Sequence, residues 1–205
     1  MTTRPTDDQM VAALRASEGD DELPRLRVEL ADAADRDGLL DVAYRTIDSP
    51  FGELLLAATE QGLVRVAFES EGHDLVLAGL AASVSPRILR SGRGTEEAAR
   101  ELEEYFAGRR RDFDLQVDLQ LVRGFRREVI EHLVEIPYGT TESYAQVARR
   151  SGNAAAVRAV GSACANNPLP VVLPCHRVVR SDGTIGQYLG GTATKVALLE
   201  LEAAA

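Results

Sequence analysis

What the sequence lacks narrows it first. It has no tryptophan, only two cysteines and only three histidines in 205 residues. Two cysteines cannot make a disulfide framework, so a reducing, cytoplasmic setting is expected. The cysteines and histidines show neither the C-x-x-C nor the H-x-x-x-H spacing of a zinc site, so no metal is expected. No apolar run reaches membrane-spanning length, and Met1–Asp20 lacks the apolar centre of a signal peptide. There are no internal repeats. The glycines of 183–191 do not follow the G-x-G-x-x-G spacing of a dinucleotide fingerprint. With 45% apolar residues the chain can bury a real core, which excludes a disordered protein.

One further absence is local. The net charge is −9, yet from Tyr144 to Arg180 there is no aspartate or glutamate. That stretch holds Arg149, Arg150, Arg158, Arg177 and Arg180, so it carries +5 and the rest of the chain −14. Screening makes near charge count for more than distant charge. A basic face on an acidic protein therefore still binds polyanions.

In chain order, 1–40 is acidic and rich in alanine, and reads as a partly mobile extension. Its short helices are expected at Gln9–Ser17 and Leu23–Ala34, the second ended by Gly38. Residues 41–120 read as an α/β domain: a small antiparallel sheet with helices. Val42–Ile47, Leu54–Ala58 and Leu63–Phe68 are its strands, with turns at 48–52 and 60–62. His73–Ala82 and a Thr95-capped segment to Phe106 read as helices, and the alternation of Phe113–Leu121 as one more strand. Residues 121–205 read as a mainly helical domain. Phe125, Val129, Ile130, Leu133 and Val134 make one apolar face. Tyr144–Arg150, capped by Thr141 or Ser143, and Ala154–Asn166 then form a helix-turn-helix pattern around Ser151–Asn153. The second helix is slim, with Ala156 and Ala159 flanking Arg158. That suits close approach to a narrow, negative groove; a tightly packed core helix is the alternative. A final helix covers Thr192–Glu202.

The chemistry sits at Pro174, Cys175, His176 and Arg177. A thiol beside an imidazole is a nucleophile next to its base; a buried cysteine beside a surface histidine is the plainer alternative. In an extended strand their side chains would face opposite ways. They cooperate only where the chain turns, and Pro174 with Asn167 as a brace favours a turn.

Residues 41–205 resemble the O6-alkylguanine-DNA alkyltransferases (methylated-DNA–protein-cysteine methyltransferases). The resemblance is carried by Ile136-Pro-Tyr-Gly139, Ser143-Tyr144, Arg158-Ala-Val-Gly161, Asn167-Pro-Leu-Pro170, Pro174-Cys-His-Arg-Val-Val179, Ser181-Asp-Gly183 and Tyr188-x-Gly-Gly191, with Lys195 and Leu198-Leu199 following. It implies an α/β domain packed on a helical domain that binds DNA and does the chemistry, single-turnover transfer of an alkyl group from O6-alkylguanine, with O4-alkylthymine a further substrate left open, and no cofactor. By motif, Cys175 resembles the alkyl acceptor, His176 its base through a water, Glu202 the carboxylate orienting that histidine, and Asn167 the brace of the active-site turn. Glu200 competes with Glu202 for the orienting role. Tyr144, Tyr188, Ile185, Gly186, Gln187, Leu189 and Gly190 resemble the base pocket. Arg158 resembles the finger that fills the gap left by the flipped base. Ala156, Ala159, Arg149, Arg150 and Arg177 are read as the rest of the DNA face. Gln187 and Leu189 depart from the small residues usual in the family, which leaves the range of alkyl groups open. The implied partner is double-stranded DNA carrying O6-alkylguanine, bound by a monomer, with cooperativity along DNA left open and no membrane.

Three rivals remain. A cysteine hydrolase using Cys175, His176 and Glu202 leaves the arginines without a role. A non-enzymatic sensor of alkylated DNA leaves the cysteine without one. A transcription regulator needs a dimer surface that the sequence does not display.

Overall fold

The computed structural model describes residues 26, 29–31, 33–34 and 36–204. Met1–Leu40 and Asp41–Ala205 are separate units. In the first, the described residues from 26 to 36 are helical, and Gly38 ends the helix at φ 65°. There the Leu39 N–H donates to the Ala34 carbonyl at 2.7 Å, a closure that a left-handed glycine permits. The helix expected at Gln9–Ser17 lies outside the described residues.

In the second unit, β1 (Val42–Ile47), β2 (Leu54–Thr59) and β3 (Gly62–Phe68) form the antiparallel meander. β2 is apolar along its length because both of its faces are covered. Leu54 and Leu56 join the main core, while Leu55 and Ala57 join a second cluster on the other side. Helix α1 (His73–Ser83) supplies Leu80, Val76 and Leu77 to that second cluster. It also carries the chain across to β4 (Ile88–Arg90), which pairs parallel to β1. The sheet is therefore mixed, in the order β3-β2-β1-β4, rather than purely antiparallel. Helix α2 (Glu96–Phe106) brings Ala98, Leu102 and Tyr105 into the main core. Thr95 precedes it but does not cap it; its hydroxyl donates to the Gly92 carbonyl at 2.7 Å.

The strand expected at Phe113–Leu121 forms a single bridge, Leu63 to Val117. The alternation there records one-sided burial: Phe113, Leu115, Val117 and Leu119 pack on the core without a ladder partner beyond β3's first residues. Gly62 permits that approach, because a Cβ there would collide with the Gln116 carbonyl.

The remaining elements are α3 (Phe125–Leu133), β5 (Glu142–Ser143), α4 (Tyr144–Arg150), α5 (Val157–Ala165), β6 (Val178–Val179) and α6 (Gly191–Ala203). Ser143 is the α4 cap: the Gln146 N–H donates to its Oγ at 3.2 Å, and the Ser143 N–H donates to Gln146 Oε1 at 2.7 Å. α5 starts later than the sequence implied, because Asn153 holds 153–156 in a turn. β5 pairs parallel with β6, tying the entry of α4 to the chain just after the Cys-His turn. The main core is continuous through both halves, from Leu54, Val66 and Leu102 to Ile130, Val160, Leu173 and Leu198. Truncating such a side chain, as in Leu102→Ala, costs about 2–5 kcal/mol. Among the described residues, no helix is long and apolar enough to cross a membrane.

Candidate active site

The thiol is presented by two successive tight turns. Pro174 has φ −79° and ψ 62°, the values of an inverse γ-turn, and the Cys175 N–H donates across it to the Leu173 carbonyl at 2.7 Å. A single 3₁₀ turn, Cys175–Arg177, follows at once. Asn167, fully buried, braces the approach: its Nδ2 donates to the Leu173 carbonyl at 2.7 Å, while its Oδ1 accepts the Leu169 N–H at 3.0 Å. Between these anchors Val171 is forced to φ 75°, a left-handed backbone that β-branched residues rarely adopt. From the meander, the Val66 N–H donates to the Pro168 carbonyl at 2.9 Å.

The turn places Cys175, His176 and Arg177 inside the protein. His176 Nε2 meets Glu202 Oε1, on α6, at 2.8 Å. Its Nδ1 is buried without a protein partner. A neutral ring that donates from Nε2 to the carboxylate keeps a free lone pair on Nδ1, which is what a base requires. Glu200, the competing candidate, is exposed. Burial works against an ionised Glu202, but hydrogen bonds from His176, Arg177 and Tyr105 overcome it and hold the carboxyl near pKa 2.

Arg177 corrects the sequence reading. Expected on the DNA face, it is 5% exposed, and its guanidinium grips Glu202, Nε at 3.0 Å from Oε2 and Nη2 at 2.9 Å from Oε1. Its Nη1 donates to the Ile136 carbonyl at 2.6 Å. The buried anion recruits it, since a buried charge is stable only when paired and hydrogen-bonded.

The thiol and imidazole are both neutral at rest. Burial raises Cys175 to about 11; the Asn167 side chain and the Lys195 ammonium pull it down without cancelling that effect. Burial lowers His176, with Glu202 opposing. Neither a stored thiolate nor an imidazolium is favoured at neutral pH. Cys164 is a buried, inert member of the core.

Around the thiol, Tyr144 stands at the start of α4 with its hydroxyl over Gly186, where any Cβ would collide with it. Burial raises Tyr144 to about 12, so it stays protonated and able to donate. The Lys195 ammonium lies 5.8 Å from the Tyr144 ring centre and donates to the Val178 carbonyl at 2.5 Å. Tyr188 sits edge-on to His176, with 6.4 Å between ring centres. Its pocket loop is backed by β3, whose Phe68 ring lies 5.7 Å from that of Tyr188 and would be 2.9 Å from a Cβ on Gly190. Ile185 is half-buried and Gln187 exposed. Leu189 lines a separate cleft with Arg65, Glu71, Val76, Leu80 and Pro168; Cys175, Tyr144 and Tyr188 are not among its walls.

On the outer side, Arg149, Arg150, Arg158 and Ala159 are exposed and Ala156 is half-buried. Arg150 spends part of its charge on Glu142, 3.1 Å away. Sequence reasoning missed Tyr105, whose hydroxyl donates to Glu202 Oε1 at 2.7 Å, and the Gly139 N–H, which donates to Oε2 at 3.0 Å. Tyr105 read as one more apolar helix position. Gly139, inside the Ile136–Gly139 motif, was the only available signal. Among the described residues no cluster of histidine, cysteine and carboxylates could hold a metal ion.

Comparison with known proteins decides the family. Residues 42–119 match the ribonuclease-like domain of 6-O-methylguanine DNA methyltransferase, and 124–204 match its DNA binding domain. The chain belongs to this family. A methylated-DNA–protein-cysteine methyltransferase of Methanosarcina barkeri is 38% identical over 159 residues, 78% of this chain and 96% of the relative. One from Mycolicibacterium paratuberculosis is 38% identical over 163 residues, 78% of this chain and 92% of its own. The crystal structure of the Mycobacterium tuberculosis O6-methylguanine methyltransferase superposes with a TM-score of 0.68 at 36% identity, covering 80% of this chain and 93% of that one. The same organism's enzyme in complex with DNA gives 0.67 at 36% identity, covering 79% and 93%. In this family member the thiol, the histidine and the carboxylate are all buried, with His176 hydrogen-bonded to Glu202, and Arg149, Arg150 and Arg158 are exposed.

Proposed function

We propose that this protein repairs alkylated DNA by moving the alkyl group of O6-alkylguanine irreversibly onto Cys175. The observation that carries the reading is a buried Cys175 followed directly by His176, which meets Glu202 at 2.8 Å through Nε2 and has no protein partner at Nδ1. The damaged base cannot be reached inside a duplex, so it is flipped out at a cost of about a few kcal/mol. Arg158 fills the space left in the stack, and Arg149 and Arg150 hold the phosphates. The slim surface at Ala156 and Ala159 lets α5 approach the minor groove.

The transfer itself is a displacement at carbon. The thiol proton passes through a water to His176 Nδ1, and Glu202 stabilises the imidazolium. Sulfur attacks the alkyl carbon; the S–C bond forms as the C–O6 bond breaks. The guanine leaves as its anion with the carbonyl restored and the Tyr144 hydroxyl donating a hydrogen bond to it; it then takes up one proton from water, and the imidazolium returns one to water. Tyr188 and the loop 185–190 frame the base. The product is a thioether, which has no hydrolytic exit, so each chain reacts once. The protein acts as a cytoplasmic monomer without a cofactor.

The test is stoichiometry. With excess duplex carrying labelled O6-methylguanine, methyl consumption is expected to stop at one equivalent per chain, with the label on the peptide holding Cys175. Continued turnover would indicate a hydrolase, and binding without transfer a sensor.

A further inference from the structure

Glu202 has more donors than a histidine partner requires, and one comes from an element with no part in the transfer described above. Tyr105, in the last turn of α2, is fully buried and donates to Oε1 at 2.7 Å, the same oxygen that meets His176 Nε2 at 2.8 Å. The phenol lies 3.4 Å from Nε2 itself, too far to compete with the carboxylate for the proton. Its ring is fixed by Phe106, Phe113 and Tyr138, with centres 5.6, 5.2 and 6.1 Å away. The hydroxyl therefore cannot swing aside.

A donor on a carboxylate drains charge that would otherwise stabilise an adjacent imidazolium. We propose that Tyr105 is a positioning residue for alkyl transfer: its hydroxyl aims Glu202 Oε1 at His176 Nε2 and moderates the basicity of the pair, so that His176 waits as a neutral base with a free lone pair on Nδ1. This rests on the alkyl-transfer reading above.

The other charged and titratable groups around the pair are accounted for. Arg177 spans both carboxylate oxygens. Lys195 and Arg177 act on His176 in the same direction as burial, which is the largest influence. Tyr138 lies under the Arg177 guanidinium at 5.7 Å, and Tyr188 lies edge-on to His176. Arg177 also donates to Oε1, from Nη2 at 2.9 Å, so the Tyr105 hydroxyl is a neutral donor on that oxygen beside a charged one. Burial and the Glu202 charge raise the Tyr105 pKa far above its ordinary value, so the phenol remains a donor across any working pH.

The experiment is the pH profile of single-turnover transfer from free O6-benzylguanine, which needs no DNA contact. Tyr105→Phe keeps the ring. Without the competing donor, His176 protonates more readily, so the acid limb is expected to move up by about one pH unit. Phe113→Leu loosens the same ring packing but leaves the hydroxyl, and is expected to lower the melting temperature with the limb in place. A Tyr105→Phe limb superimposed on the wild-type limb would reduce Tyr105 to a core residue. Independently of any variant, ¹⁵N shifts of His176 at neutral pH are expected to show the neutral Nε2–H tautomer; a protonated ring or the other tautomer overturns the proposal. Failure of the alkyl-transfer reading looks different, because the wild-type protein would then take up no benzyl group.

Discussion

Arg158 and Arg177 belong to the same acid-free stretch, and nothing nearby in the sequence separates them. In the structure they are opposites. Arg158 is exposed on α5, with solvent around its charge. Arg177 is 5% exposed and is committed to Glu202, in a helix that begins beyond the stretch. The first presents its charge to solvent; the second makes a buried anion tolerable. The net charge of a segment therefore overstates its outer field, because a carboxylate from elsewhere in the chain can claim one of its cations.

The contrast can be broken at either end. Arg177→Ala leaves a buried carboxylate without its bidentate partner and is expected to cost about 3–5 kcal/mol in urea unfolding. A silent stability change with a loss of DNA affinity would return Arg177 to the outer face. Acidification comes next. Glu202 is held near 2 instead of 4.5, so its contribution is complete above 4.5 and is lost as pH falls toward 2. His176 is held below 6.5 in its neutral form, so it too removes stability as pH falls below 6.5. The urea midpoint is expected to decline from about pH 6.5 downward in two stages, and Glu202→Gln to lose the lower stage. A flat profile would mean that the pair is not coupled to folding.

Gly190→Ala is smaller. Its Cβ would sit 2.9 Å from the Phe68 ring, and overpacking of that kind costs about 1–3 kcal/mol. It is expected to displace Tyr188 and slow transfer from the free base as well as from DNA. Arg158→Ala is the smallest in stability, within about 0.5 kcal/mol, as an exposed substitution should be. Yet it is expected to slow reaction with a duplex far more than reaction with free O6-benzylguanine. Equal losses would take Arg158 out of the flipping step. Duplex binding by the parent protein should also weaken steeply with salt despite the acidic total charge.

How much of this was legible in the sequence follows from distance along the chain. The meander, the Ser143 cap, the α4–α5 hairpin and the turn at Pro174 depend on neighbours a few residues away, and each left a local pattern. The pairing of His176 with Glu202 was legible only through family resemblance, because no spacing rule brings α6 to the turn. Tyr105 was hidden for two reasons. Its ring occupies a core position of α2, and its partner Glu202 lies 97 positions further along the chain. Phe113–Leu121 misled because alternation reports which side is buried, not whether a neighbouring strand is present. β4 was too short to declare its direction, which the crossover through α1 fixed. Leu189 reads as a pocket wall from its place beside Tyr188, and nothing in the sequence shows that it also lines the cleft with Arg65 and Pro168.

The central claim is that the buried thiol at Cys175, and not Cys164, accepts an alkyl group once. Intact mass after incubation with a duplex containing O6-methylguanine tests it directly. The account predicts a gain of one methyl group per chain, abolished in Cys175→Ser and retained in Cys164→Ser. No mass gain in the parent protein, or a gain that survives Cys175→Ser, would contradict it.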